Sequence, residues 1–323
     1  MTQRLYHACP LPTCAIIVQM KRARKLIYRI ALILTVLFTL SFAMYYDAFH
    51  TAPARFKVRY ETLTSVFIPE QMDDVNILVF SDLKFGPFMN QKRLEKLIDT
   101  ICSLAPDVVV FGGDLFDEHA SINDDSIALL SHAFSSIQAP LGKFAILGDM
   151  DHQNEEVLAA VQKVFFDSDF ELLENSSILL RKKGSQSITL VGLDSGLKGS
   201  IDIEAAYANV ARASYTIAFC HTPDTADQLP YELTDYAISG HSLGGQVNYI
   251  FGAYYTPELA QRYLYGKHRI HNGSFLLDIT SGTGTQGKDV RFLANAEVVL
   301  YRLKHKVIAG DQSKQDANEK TKP

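Results

Sequence analysis

Apolar residues in this chain come in short runs that end on an acid or a histidine. Residues 77–80 run through Ser81 into Asp82, ahead of the turn-forming pair Gly86-Pro87. Residues 108–111 lead into Gly112-Gly113-Asp114, and residues 144–147 into Gly148-Asp149. Residues 217–219 lead into Cys220-His221, and Ala237-Ile238 into Ser239-Gly240-His241. A short apolar run without polar alternation predicts a buried strand. In open α/β sheets the carboxyl ends of such strands are where ligands sit. The recurrence predicts that Asp82, Asp114, Asp149, His221 and His241 meet at one sheet edge. Carboxylates and imidazoles in that number form a donor set for a divalent metal.

Elsewhere the period changes. Residues 91–103 place Leu94, Leu97, Ile98 and Ile101 on one helical stripe. Residues 124–137, 155–166 and 203–212 are also expected to be helical. Residues 56–66 alternate apolar and polar, as an edge strand does. Residues 170–174, 178–182 and 187–193 are expected to be short antiparallel strands, and residues 275–280 and 296–303 closing strands. Alternating βα units followed by meandering strands predict two sheets packed between helices, an α/β four-layer α/β/β/α sandwich.

The amino-terminal region has a different texture. Residues 30–46 are apolar or small and carry no charge, and residues 26–28 extend the run. At about 1.5 Å per residue this approaches the length of a membrane span. Lys21, Arg22, Arg24, Lys25 and Arg29 flank one end and Asp47 the other. The positive-inside rule then puts the amino terminus in the cytoplasm and the remainder outside. A cleaved signal peptide is the competing reading, since Ser41-Phe42-Ala43 offers small residues at suitable offsets. Met20 is a second candidate start. The expected organisation is a cytoplasmic segment (1–25), a single-pass anchor in the cell membrane (26–46), a folded domain (51–305) and a polar disordered tail (306–323).

The 323 residues are 47% hydrophobic and 21% charged, enough for one large domain with a sizeable core. A net charge of −5, with no basic stripe outside the amino-terminal region, argues against nucleic acid as a partner. The spacing of Cys9, Cys14, Cys102 and Cys220 fits neither a zinc ribbon nor a disulfide framework. Cys102 and Cys220 are expected in the core.

Taken in order, these blocks resemble the calcineurin-like metallophosphoesterase family over roughly residues 73–303. The family's Asp-x-His is seen as Asp82-Leu83-Lys84, and its Gly-Asp-x-x-Asp is complete in Gly113-Asp114-Leu115-Phe116-Asp117. Its Gly-Asn-His-Asp stands as Gly148-Asp149-Met150-Asp151, and its lone His as His221-Thr222-Pro223. Its Gly-His-Thr-His-Gly-Gly-Gln stands as Gly240-His241-Ser242-Leu243-Gly244-Gly245-Gln246. Gly282-Thr283-Gly284-Thr285, with Arg291 and Asn295-Ala296-Glu297, is similar to the membrane-anchored branch of that family.

The resemblance implies two metals sharing Asp114, and the departures from the pattern decide what carries over. One set would be Asp82, Lys84, Asp114 and Leu243, and a protonated lysine and a leucine do not coordinate. The other, Asp114, Asp149, His221 and His241, is complete, and suits Zn²⁺, Mn²⁺ or Fe at one tight site. Lys84 is expected to replace the charge of the missing metal and to offer a contact for a phosphate oxygen. Met150 stands where the family has a histidine that assists the leaving group, and His152 is the candidate substitute. Asp117 and Asp151 are expected to be structural. The resemblance implies a hydrolase acting on a phosphorylated substrate at the outer membrane face, with lipid-linked or cell-wall-linked phosphoesters and pyrophosphates as candidates. Asp114, Lys84 and His152 are the candidate catalytic residues. A catalytically impaired member that binds metal or phosphate, or a plain structural domain, stands as the alternative.

Overall fold

The structure, a computed structural model, describes residues 11–249 and 252–307. The expected cytoplasmic segment lies outside the described residues up to residue 10, and the expected tail from residue 308 on.

Two compact units part between Ala48 and Phe49. The first holds α1 (Leu11–Tyr46), and a π-helical turn, Asp47–Thr51, runs across the boundary. Every side chain from residue 19 to residue 46 is exposed. By length and composition α1 is able to cross a membrane. The helix starts well before residue 26, so the basic stretch is part of it. Lysine and arginine are good helix formers, and nothing in that stretch breaks the helix.

The second unit runs β1 (Lys57–Ser65), β2 (Asn76–Phe80), α2 (Gln91–Ser103), β3 (Val108–Phe111), α3 (Asp124–Ser135), β4 (Lys143–Ala145), α4 (Glu155–Asp167) and β5 (Glu171–Leu172). It continues with β6 (Ser176–Leu180), β7 (Ile188–Gly192), α5 (Ile203–Tyr207), β8 (Thr216–Phe219), β9 (Tyr236–Ser239), β10 (Asn248–Tyr249) and β11 (Gly252–Ala253). It closes with β12 (Gly266–Ile270), β13 (Phe275–Ile279) and β14 (Glu297–His305). One six-stranded sheet has the order β1-β14-β2-β3-β4-β5, the other β12-β13-β9-β8-β7-β6, and β10 pairs with β11 alone. β2, β3 and β4 are parallel, as are β7, β8 and β9.

Side chains alternate across each strand, and this builds the layers. Ile77 and Val79 of β2 face the second sheet, where they pack with Leu190, Ile217, Phe219 and Ile238. Leu78 and Phe80 face the helices, in a core with Leu94, Leu97, Leu130, Val161 and Phe165. A third cluster covers the outer face of the second sheet, where Val191, Ala218 and Leu277 pack under Ala206, Tyr207 and Leu229. Three of the helices start the same way: Asn90, Asn123 and Asn154 each accept a backbone N–H of the first turn.

Some expectations are corrected. β5 is not antiparallel: α4 returns the chain over the sheet, so β5 adds to β4 in parallel, as a crossover requires. β6 and β7 are antiparallel. α5 stops at Tyr207, where bonds from Ala208 N–H to Ala205 and from Val210 N–H to Tyr207 tighten the chain into turns. β12 escapes the hydrophobic pattern because Lys267, His268 and Arg269 disguise a polar edge strand. Cys102 is exposed, since it lies one residue off the buried stripe of α2, whereas Cys220 is buried.

Phe134 is fully buried, with ring centroids of Phe80, Phe111, Phe165 and Phe170 at 5.7, 5.9, 6.5 and 5.3 Å. Phe134→Ala is predicted to lower stability by about 3–5 kcal/mol in urea unfolding, the cost of a large core cavity.

Candidate metal centre

The parallel strands of both sheets deliver chemistry at their carboxyl ends. Asp82 follows β2, Asp114 follows β3 and Asp149 follows β4 in one sheet; His221 follows β8 and His241 follows β9 in the other. The connecting backbone is strained. Asp82, Lys84, Asp114, His241 and Leu243 all have positive φ, between 49° and 64°. Such conformations cost roughly 1–2 kcal/mol each in non-glycine residues and persist only when their surroundings fix them.

Two buried groups do the fixing. Asp151 accepts backbone N–H bonds from Gly148 and Asp114 on one oxygen and from Leu115 on the other, each 2.8 Å long. It ties the loop after β3 to the loop after β4. Burial and the charge of Asp114 push its pKa up to about 6, against those three donors. Arg291, 1% exposed, donates to the carbonyls of Gly284, Leu243 and Asn295. It thereby joins the loop bearing His241 to the chain after β13, and burial pushes its pKa down to about 10. Gly148 is required by space alone: a Cβ there would sit 2.3 Å from Asp114 Oδ1.

Asp114, His221 and His241 cluster tightly, Asp149 reaches both imidazoles, and Asp82 stands beside them. His221 Nε2 is 3.4 Å from Asp114 Oδ2 and 3.9 Å from Asp149 Oδ2, and His241 Nδ1 is 3.0 Å from Asp149 Oδ2. Ligand atoms of Asp114, His221 and His241 all lie within 4.8 Å of one another. Bonds of about 2.1 Å to a tetrahedral ion separate its ligand atoms by roughly 3.4 Å, so these spacings suit one cation. Both tautomers are fixed from behind. His221 Nδ1 is 2.7 Å from the Gly112 carbonyl and His241 Nε2 is 2.8 Å from the Glu258 carbonyl. A carbonyl only accepts, so each of those nitrogens carries hydrogen and the opposite nitrogen faces the carboxylates, the arrangement metal-ligating histidines adopt. His221 Nε2, Asp149 Oδ2 and Asp82 Oδ1 are buried with no hydrogen-bond partner. His221 Nε2 and Asp149 Oδ2, 3.9 Å apart, are what a cation would satisfy, and the residues present fit a divalent metal.

The family comparison agrees with this geometry. The calcineurin-like phosphoesterase profile matches residues 75–251, more than half the chain. The chain belongs to the calcineurin-like phosphoesterase family. It is 28% identical over 248 residues to the uncharacterized metallophosphoesterase YkuE of Bacillus subtilis (strain 168), covering 75% of this chain and 84% of that protein. It is 29% identical to the uncharacterized metallophosphoesterase Cj0846 of Campylobacter jejuni, over 75% of this chain and 62% of that protein. It is 24% identical to a Danio rerio protein called transmembrane protein with metallophosphoesterase domain, over 73% of this chain and 55% of that protein. The chain thus spans little more than half the length of some relatives.

As a calcineurin-like phosphoesterase the chain departs from the family pattern where the second metal would sit. Lys84 Nζ lies 2.6 Å from Asp114 Oδ2 and 4.0 Å from Asp82 Oδ1, with its side chain 2% exposed. Burial alone would lower the pKa of Lys84; Asp114 and Asp82 outweigh it and hold the ammonium above its usual range. Burial likewise opposes the charge on Asp114, yet Lys84 and His221 hold that carboxyl well below the usual range. The bond to Asp114 uses one of the three N–H donors of the ammonium. Leu243 is buried, and Asp82 Oδ2 accepts from Ser81 Oγ at 2.6 Å and His241 N–H at 2.9 Å.

His152 pairs with Asp194. Its Nε2 is 2.5 Å from Asp194 Oδ1, so the ring is clasped to the loop after β7. Asp194 also accepts from the backbone of Ser195 and Ser200. The next residue, Ser195, is absent from the sequence-predicted set. Its hydroxyl donates to Asp149 Oδ1 and leaves Oδ2 facing the imidazoles. The sequence marks only the place, since residues 190–193 run into Asp194, and not the role of the serine. Asp117 accepts the His119 N–H in a local turn.

Ser195→Ala is predicted to weaken Mn²⁺ binding about 10- to 100-fold by calorimetric titration, with Ser195→Thr retaining it, as for other groups that orient a ligand. Lys84→His combined with Leu243→His is predicted to raise the metal content from one per chain toward two; no gain would contradict the assignment of Lys84 to the second position.

Proposed function

We propose that this chain is a metal-dependent phosphoesterase with one metal site, anchored by α1, with its phosphoesterase domain on the extracytoplasmic side. The basic residues Lys21, Arg22, Arg24, Lys25 and Arg29 ahead of the apolar run support that orientation. The observation that carries the reading is the cluster of Asp114, His221 and His241, with Asp149 against both imidazoles and buried polar atoms left unsatisfied between them.

Those four residues would hold the metal, which when bound supplies a Lewis acid for a phosphoryl oxygen. The chain's own groups set the rest. Lys84 neutralises Asp114, the Gly112 and Glu258 carbonyls hold both imidazoles in the ligating tautomer, and Ser195 aims one oxygen of Asp149. Met150 has no proton to give, and the Nε2 of His152 is held by Asp194. A leaving group that departs as a stable anion needs no such proton. Phosphoanhydrides and aryl phosphodiesters therefore suit the site better than alkyl esters. A membrane location makes lipid-linked or cell-wall-linked pyrophosphates the favoured class.

The test is hydrolysis of bis-p-nitrophenyl phosphate by the full chain with Mn²⁺ or Zn²⁺. Turnover is predicted to vanish with chelator and to fall by more than about 100-fold in Asp114→Asn, since loss of a ligand exceeds loss of the groups behind it. The second reading, a metal-binding member without catalysis, is favoured by the loss of the acid at Met150. A metal-loaded chain inactive on both pyrophosphates and diesters would establish it.

A further inference from the structure

Five large side chains stand exposed beside the metal centre: Tyr249, Tyr254, Tyr255, Tyr265 and Leu293, from 53% for Tyr249 to 78% for Tyr254. Their backbones are knitted into one surface. Tyr254 N–H donates to the Val247 carbonyl, and Asn248 N–H to the Phe292 carbonyl, both at 2.8 Å. The Asn248 side chain donates to the Gly244 carbonyl at 2.9 Å and approaches the Leu293 carbonyl at 3.5 Å. A Cβ built on Gly245 would meet both Ala253 and Leu264, so the strand β11 and the segment before Tyr265 crowd the loop that carries His241. The chain beyond Tyr255 reaches His241 itself, through the Glu258 carbonyl. The segments that carry these residues therefore border the loop that holds His241, which puts the five exposures in one region of the surface.

Single exposed tyrosines need no explanation, whereas a joined apolar rim does. Its composition favours one occupant. Tyrosine presents an apolar ring and a polar tip, the combination enriched where hydrocarbon meets headgroup. Lys288, whose carbonyl accepts from the Gln246 side chain, is exposed beside it and suits an anionic headgroup. The length of the connection also keeps a bilayer within reach. Residues 47–56 are all that separates Tyr46, the last residue of α1, from Lys57, the first of β1. Even fully extended, such a stretch spans at most about 40 Å.

We propose that this rim is a membrane contact, in which Tyr249, Tyr254, Tyr255, Tyr265 and Leu293 seat at the headgroup level of the bilayer, so that the metal centre opens toward phosphates carried by lipid. The proposal rests on the reading of α1 as a membrane span.

The chain contains no tryptophan, which makes a single introduced one an unambiguous reporter. Tyr254→Trp and Tyr249→Trp report on the rim. Phe166→Trp, at the most exposed large apolar position of α4, is the reference. Each full-length variant is reconstituted into phosphatidylcholine–phosphatidylglycerol vesicles, with and without bromine on the acyl chains. The expected result is a blue-shifted emission from the reporters at 254 and 249 that brominated lipid quenches, with the reference at 166 unquenched. Protein that floats with the vesicles while both rim reporters stay unquenched overturns the rim contact and leaves the anchor reading standing. Protein that fails to float after an alkaline wash overturns the anchor reading, and the proposal with it.

Discussion

Buried negative charge is the constraint on which this structure depends. Asp82, Asp114 and Asp149 are almost fully enclosed at one sheet edge. Two unit charges about 4 Å apart interact by roughly 4 kcal/mol at an effective dielectric near 20, so such a cluster does not stay ionised unaided. The fold sets Lys84, a permanent cation, against Asp114. It is not enough: burial opposes it, yet Asp114, Asp82 and Asp149 together still raise the pKa of His221 to about 10. The remaining negative potential takes up a proton on His221 or a metal ion, and the two compete for the same nitrogen.

The same constraint explains the backbone. Side chains from two sheets are brought together by sharp turns after β2, β3 and β9, which place Asp82, Asp114 and His241 at positive φ. Asp151 and Arg291 hold those turns with hydrogen bonds to main-chain atoms. The apolar strands behind them are fixed by packing on both faces, and they give the loops a rigid base. Removing such a buried acceptor would leave its donors unpaired, at about 1–3 kcal/mol each.

Much of this is legible in the sequence. Unbroken apolar runs in β2, β3, β8 and β9 mark both the strands and the residues at their ends, because burial on two faces leaves no room for polar alternation. The helical stripe of α2 is equally plain. Less is visible where polar residues carry the structure. β12 hides behind Lys267 and Arg269, and the clasp of His152 on Asp194 joins residues far apart along the chain. Ser195 acts only through Asp149, and no local pattern marks a serine as the group that aims a carboxylate. The departure at Lys84 is visible from the motif, but its burial and its bond to Asp114 require the packed loops.

On this reading the fold has exchanged one of two metals for a lysine and kept the other. Equilibrium dialysis of the full chain against Mn²⁺, followed by elemental analysis, tests it most directly. Saturation at one ion per chain is the predicted result. Saturation at two, or no retained ion in a folded sample, would contradict it.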